Sequence, residues 1–235
     1  MNNMKKAFNR IALITIVIAI VNLIATIIFI TRLPDTVPVH FNVNFECDRL
    51  GSRWNGVVPT IILLLTVPIM ILTERNGKNF EVNKKPMSIM LIIIEFVIVT
   101  INWLLLALMG SGVGIGEKMS FSFEFLIMLI LGFMMIMIGN YIPTVRQNNT
   151  LGIKLPWTLK NEKCWNLTHR LSGKLYVIAG IITLAMAMAM KIWSINPVAV
   201  FVAYIIVGIP LMIVIPTFYA YQHRNTCKTD FHKSY

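Results

Sequence analysis

The chain has 235 residues, 57% of them hydrophobic and only 13% charged, and its mean hydropathy is +0.73. A soluble domain of this length needs far more polar surface to cover its core, so a soluble globular enzyme or scaffold is excluded. The formal net charge of +11 would suit nucleic acid, but the basic residues sort by segment along the chain, and no direct nucleic-acid partner is expected.

A hydrocarbon core about 30 Å thick needs roughly 20 apolar residues per helix. Six segments qualify: 11–30, 57–73, 87–109, 123–142, 175–192 and 197–219. The fold class that follows is all-α, a polytopic six-transmembrane-helix bundle, with a structured cytoplasmic loop between helices 4 and 5. The N-terminal stretch, the connection after span two, the segment before span five and the tail together hold 16 of the 21 Lys and Arg. The positive-inside rule then places both termini and the loop before span five in the cytoplasm, where anionic headgroups account for the basic excess. Lys5, Lys6 and Arg10 precede span one, but its apolar run is too long for a signal core and lacks a small-x-small cleavage site, so it is expected to stay attached. Of the three Cys, Cys47 falls outside and Cys164 and Cys227 inside a reducing compartment, so no structural disulfide is expected.

Span one carries Asn22, an amide suited to a helix–helix hydrogen bond. The external loop 31–56 contains Pro34 and Pro38, which deny it a regular helix at its start, and Asp35, which offers turn chemistry. His40, Phe41 and Asn42 follow. His40, Glu46 and Asp48 do not have a metal-ligand spacing, and local charge pairing of Asp48 with Arg49, and of Arg53, is expected instead. Span two contains Pro68, a kink site. The connection 74–86 reads as a solvated turn. Span three holds Glu95, a carboxylate inside the membrane and so a functional candidate, with Asn102 seven residues on along the same face. The Gly-rich loop 110–120 lacks the Gly-Lys-Ser/Thr ending of a phosphate loop and reads as a flexible turn. Span six has Pro210 and Pro216. The tail residues His223, Cys227 and His232 match no common zinc spacing.

Residues 139–173 stand apart. They hold two Trp, two Pro, a His, five Lys/Arg and five Asn between two apolar runs, and large rings are costly to leave in water. A folded loop at the membrane face is expected. Asn140 lies where span four closes at Pro143, Gly152 allows a tight turn, and Pro156 forces Leu155 to be extended, which puts Trp157 at the end of a short arm. Asn161 is a helix cap with Glu162 in the first turn. Trp165, Thr168, His169 and Ser172 then share one helical face, on a helix expected to lie in the headgroup region before turning into span five. Trp157, Trp165 and His169 are predicted to form a docking surface, with Arg170 set against a phosphate or a carboxylate such as Glu95.

GNYIPTVRQNN, LGIKLPWTL and Trp165 with THRLSGKL after it resemble the signature loop of the SdpI-like membrane proteins. LPDTVPVHFN at 33–42 resembles the small N-terminal domain of uncharacterised role that these proteins usually carry. The sequence departs from the family at Ser172, Phe45 and Cys47. The resemblance divides the chain into 1–73, an N-terminal domain with two spans and the external loop, and 74–235, an SdpI-like domain with four. It implies a bacterial cell-membrane protein that gives immunity to a secreted peptide toxin. It further implies a signal receptor that recruits a cytosolic transcriptional repressor. On that basis Asn140, Gly152, Pro156, Trp157, Trp165, Thr168, His169 and Arg170 are the partner-binding candidates inside, and Pro34, Asp35, Pro38, His40, Phe41 and Asn42 the candidates outside. No nucleophile–base pair is present, so neither enzyme activity nor a cofactor is expected. The alternative reading is a small-solute or peptide transporter that uses Glu95.

Overall fold

The computed structural model describes residues 2–42, 44–75, 80–118 and 123–223. Helix α1 (Asn2–Ile30) leads into a hairpin of β1 (Thr36–Phe41) and β2 (Cys47–Ser52). Then come α2 (Val58–Arg75), α3 (Phe80–Met109) and α4 (Phe123–Tyr141). A short α5 (Pro156–Lys160) precedes α6 (Glu162–Trp193). The chain closes with α7 (Pro197–Ile209), a π-helical turn (Pro210–Val214) and α8 (Ile215–Gln222). Five segments are long and apolar enough to cross a membrane: Arg10–Ile30, Val82–Met109, Phe123–Thr144, Glu162–Trp193 and Pro197–Gln222. The remaining predicted span is α2, at 18 residues, with Pro68 inside it. The helices turn large apolar side chains outward, among them Leu13, Val21, Phe96, Ile181 and Ile206, each more than two-fifths exposed. In water such a surface would be untenable; against lipid tails it is the solvated face. This is an all-α polytopic membrane fold.

Helices do not stop where hydrophobicity stops. The α3 helix begins at Phe80 and carries Pro86 within it, so its first turns replace part of the solvated turn expected over 74–86. A second correction concerns α6. Its 32 residues form one continuous helix from the Asn161 cap, with no interfacial segment turning into a separate span. The cap is as expected, since Asn161 Oδ1 accepts from the N–H groups of Lys163 and Cys164. Nothing between 162 and 193 interrupts the backbone ladder, so the amphipathic first turns run straight into the apolar ones. The π turn falls at Pro210, whose missing N–H cannot close an α-helical bond.

The external loop, expected to be irregular, contains a hairpin: Thr36–Phe41 and Cys47–Ser52 pair antiparallel. Val37 and Pro38 are buried and Val39 partly so, while Thr36 and His40 face out, and Pro38 is a residue that an edge strand tolerates. Below the hairpin, Val37 packs with Ile30, Leu106 and Met109. The turn is held by Asn42, whose Oδ1 accepts from the N–H groups of Asn44 and Glu46.

The helices form two groups. Helices α1, α2 and α3 pack on one another around Ala19, Leu63, Met87 and Leu91. Helices α4, α6 and α7 pack around Met128, Ala187, Met190 and Val200. Helices α4 and α6 approach most closely through two glycine pairs. A Cβ on Gly139 would stand 2.7 Å from the Gly173 carbonyl oxygen, and one on Gly180 would stand 2.7 Å from that of Gly132. Each pair is two helical turns from the other, a small-residue seam that lets backbones touch.

Candidate functional site

Three features at different heights of the bundle could carry function: the loop 142–161, a pocket under the hairpin, and a polar seam between α1 and α3.

The loop folds over the start of α6. Trp165 is fully buried, and its Nε1 donates to the Val145 carbonyl at 2.7 Å. The His169 ring, one turn on, stacks on it at 4.0 Å with an 18° interplanar angle. His169 Nδ1 reaches the Trp165 carbonyl at 2.8 Å, and its Nε2 accepts the Ile153 N–H at 3.0 Å. Only the neutral Nδ1–H tautomer satisfies both bonds. Gly152 crosses these rings with φ +127, and a Cβ there would collide with both His169 and Trp165. The glycine is thus demanded by conformation and by contact.

Side chains rather than secondary structure pair the rest of the loop backbone. Asn148 Oδ1 accepts from the N–H groups of Thr150 and Leu151, and its Nδ2 donates to the carbonyls of Arg146 and Leu151. Thr158 Oγ1 accepts the Leu155 N–H and donates to the Ile153 carbonyl. Gln147 Nε2 donates to the carbonyls of Thr158 and Leu159. Leu155 is extended as expected, with Pro156 opening α5. Trp157 therefore stands on a helical turn rather than on an extended arm. It is half-buried, with its ring edge-on to Tyr221 at 5.7 Å.

This arrangement divides the predicted inner residues. Trp165, Thr168 and His169 are buried beneath the loop, so they support its shape and offer no surface. Asn140, Pro156 and Arg170 are exposed, with Trp157 and Gly152 intermediate. Among the described residues no ion pair joins Arg170 to Glu95. Cys164 is buried beside this face with its Sγ 3.8 Å from the His223 carbonyl oxygen. Cys227 and His232 lie outside the described residues. The contributions of Asn83, Asn148 and Thr158 were missed in the sequence, where polar residues in a loop carry no sign of which backbone groups they serve.

At the other end, a pocket of about 330 Å³ lies between the hairpin and the ends of α3 and α4. Pro38, His40, Phe41 and Asn42 line one side, and Leu105 and Leu108 the other. His40 Nδ1 meets Asp48 Oδ1 at 2.6 Å, and Arg53 binds both Asp35 and the Leu33 carbonyl. The charge pairs thus differ from the expected neighbours because the hairpin brings residues eight and eighteen apart together. Pro34 lies before β1, outside the pocket. Phe45 takes a φ of +59, unusual for a bulky residue, and reaches Phe201 of α7 at 6.4 Å. Among the described residues no three His, Cys, Asp or Glu gather as a metal site.

The seam combines Asn22 and Thr26 of α1 with Glu95, Asn102 and Trp103 of α3. Asn102 Nδ2 donates to Thr26 Oγ1, and Trp103 Nε1 to Asn22 Oδ1, both at 2.9 Å. Glu95 and Asn102 are both buried, on one face as predicted. Glu95 Oε1, Asn102 Oδ1 and Asn22 Nδ2 are buried without a hydrogen-bond partner among the described residues.

Residues 144–220 match the SdpI/YfhL protein family, and residues 17–71 match a domain of unknown function (DUF1648). The chain is 26% identical over 175 residues to the immunity protein SdpI of Bacillus subtilis (strain 168), covering 72% of this chain and 78% of that protein. No solved structure matches.

Proposed function

We propose that this chain, an SdpI-like multi-pass membrane protein, is an immunity protein that protects its cell from a secreted peptide toxin by binding it. The hairpin pocket is the observation that carries the recognition step. It is concave, mostly apolar and edged by a few polar groups, the usual make-up of a binding site, and it opens where the bundle meets the bilayer boundary. With the basic loops inside, the pocket faces outward, towards an arriving peptide. The test is expression in a toxin-sensitive bacterium challenged with candidate secreted peptides. Survival should rise with the intact chain and fall when Phe41→Ala and Leu105→Ala open the pocket. Unchanged killing by every peptide tried, at normal membrane abundance, sinks the reading.

The finer proposal is that the loop 142–161 also signals, by holding a cytosolic repressor at the membrane through the half-buried ring of Trp157. The second reading, a proton-coupled transporter, is favoured only by the seam and its unpartnered Glu95 oxygen. Protection by binding should survive collapse of the membrane gradient, whereas coupled transport should fail.

A further inference from the structure

A groove of about 540 Å³ runs beside the α4–α6 contact at the loop end of the bundle. Its floor is the close approach of Gly139 and Gly173, with the Pro143 ring beside them. Asn140 stands on one wall, and Arg170 and Lys174 on the other. The two cations are four residues apart on α6 and so share a face. Both are exposed, and neither has an ion-pair or hydrogen-bond partner among the described residues. Deeper in, the same wall continues as Val177 and Ile178, the latter half exposed.

Height gives these residues their meaning. Lys174 directly precedes the apolar run of α6, and α4 ends at Tyr141. Both helices therefore leave the hydrocarbon at the level of Asn140, Arg170 and Lys174, where lipid phosphates lie. A soluble anion would satisfy the cations and leave the apolar end of the groove unused. An acidic protein segment would have to bury its backbone against Val177 and Ile178, in contact with lipid. An anionic phospholipid fits both ends of the groove.

We propose that this groove is a site for one anionic phospholipid. The phosphate sits between the Arg170 guanidinium and the Lys174 ammonium, the Asn140 amide reaches a headgroup oxygen, and an acyl chain lies along Val177 and Ile178.

Native mass spectrometry of the full chain in detergent, titrated with phosphatidylglycerol, phosphatidylcholine or inorganic phosphate, tests this. One phosphatidylglycerol per chain should be retained about tenfold more strongly than phosphatidylcholine. Arg170→Gln with Lys174→Gln, which remove both charges and leave polar side chains, should remove that preference while helix content and melting temperature are unchanged. Lys160→Ala, an exposed cation elsewhere on the loop, should leave it intact. Should the double variant unfold, Ile178→Asn serves instead and should weaken phosphatidylglycerol without creating a preference for phosphate. Equal retention of the two lipids, equal loss in Lys160→Ala, or full competition by inorganic phosphate would overturn the proposal.

Discussion

The Asn83 carboxamide pairs with both backbone groups of Arg146, its Nδ2 donating to the carbonyl at 3.0 Å and its Oδ1 accepting the N–H at 2.8 Å. One side chain thereby does what a neighbouring strand would do, across 63 residues of sequence. It ties the loop of the second helical group to α3 of the first, while Leu151 packs onto the core of α1, α2 and α3. At the opposite end the hairpin reaches back, with Phe45 against Phe201 and the Glu117 carbonyl accepting the Cys47 N–H. The two helical groups are thus strapped together at both ends.

Replacing the strap residue should therefore loosen the loop before it loosens the bundle. Asn83→Ala leaves the Arg146 N–H unpaired at a cost of about 1–3 kcal/mol, while its carbonyl keeps the bond from Asn148. Trypsin should then cut at Lys154 and Lys160 several times faster, with helix content retained. Cleavage at the wild-type rate would show that the loop is held by other contacts.

Gly152→Ala forces an L side chain into φ +127 against two buried rings. The penalty should exceed about 2 kcal/mol. Trp165→Phe keeps the stack but orphans the Val145 carbonyl, for about 1–3 kcal/mol. Both should lower the melting temperature in detergent, Gly152→Ala by more. The reverse order would mean that the loop can move away from His169.

The seam predicts a coupling. Asn102→Ala and Thr26→Ala each break the same hydrogen bond, so the double variant should cost less than the sum of the singles, by about 0.6 kcal/mol and at most about 1.7. Glu95→Gln keeps the shape of the carboxyl and should leave abundance and protection near wild type. Normal abundance with protection lost would move Glu95 from structure to function and favour the transporter reading.

The membrane spans were legible because about 20 consecutive apolar residues have few other uses. The shared face of Trp165, Thr168, His169 and Ser172 was equally legible, since helical spacing alone defines it. What that face meets was not. Its burial depends on Gly152 and Ile153 folding back across it and on Asn83 fixing Arg146 from another helix, and no local pattern encodes a contact 63 residues away. The hairpin escaped because Pro38 and the short Val37–Val39 alternation read as an irregular loop. The Asp48 partner, His40, became a neighbour only through strand pairing.

Orientation is a prediction of charge alone. Reporter fusions after Asp48 and Glu117 should register outside, and one after Lys160 inside. Because Cys47 and Glu117 are hydrogen-bonded, the first two must agree with each other whatever the orientation. A cytoplasmic signal from both would turn the hairpin pocket inward and end the idea that it meets a peptide from outside.

With Trp165 and His169 enclosed, the signalling proposal narrows to Trp157. Its Nε1 is buried with no partner among the described residues, while part of its ring stays accessible, edge-on to Tyr221. The accessible part of the ring, not the enclosed N–H, is what a docking partner would meet and bury. Such an aromatic anchor can contribute more than about 2 kcal/mol to binding. Trp157→Ala should therefore abolish repressor recruitment with the loop still resistant to trypsin, and Trp157→Phe, which trims the indole to a smaller ring, should weaken it by a lesser amount. A photoreactive side chain at position 157 should capture a cytosolic protein in living cells. Lipid adducts alone, together with a silent Trp157→Phe, would mean that the ring only anchors the loop to the headgroups.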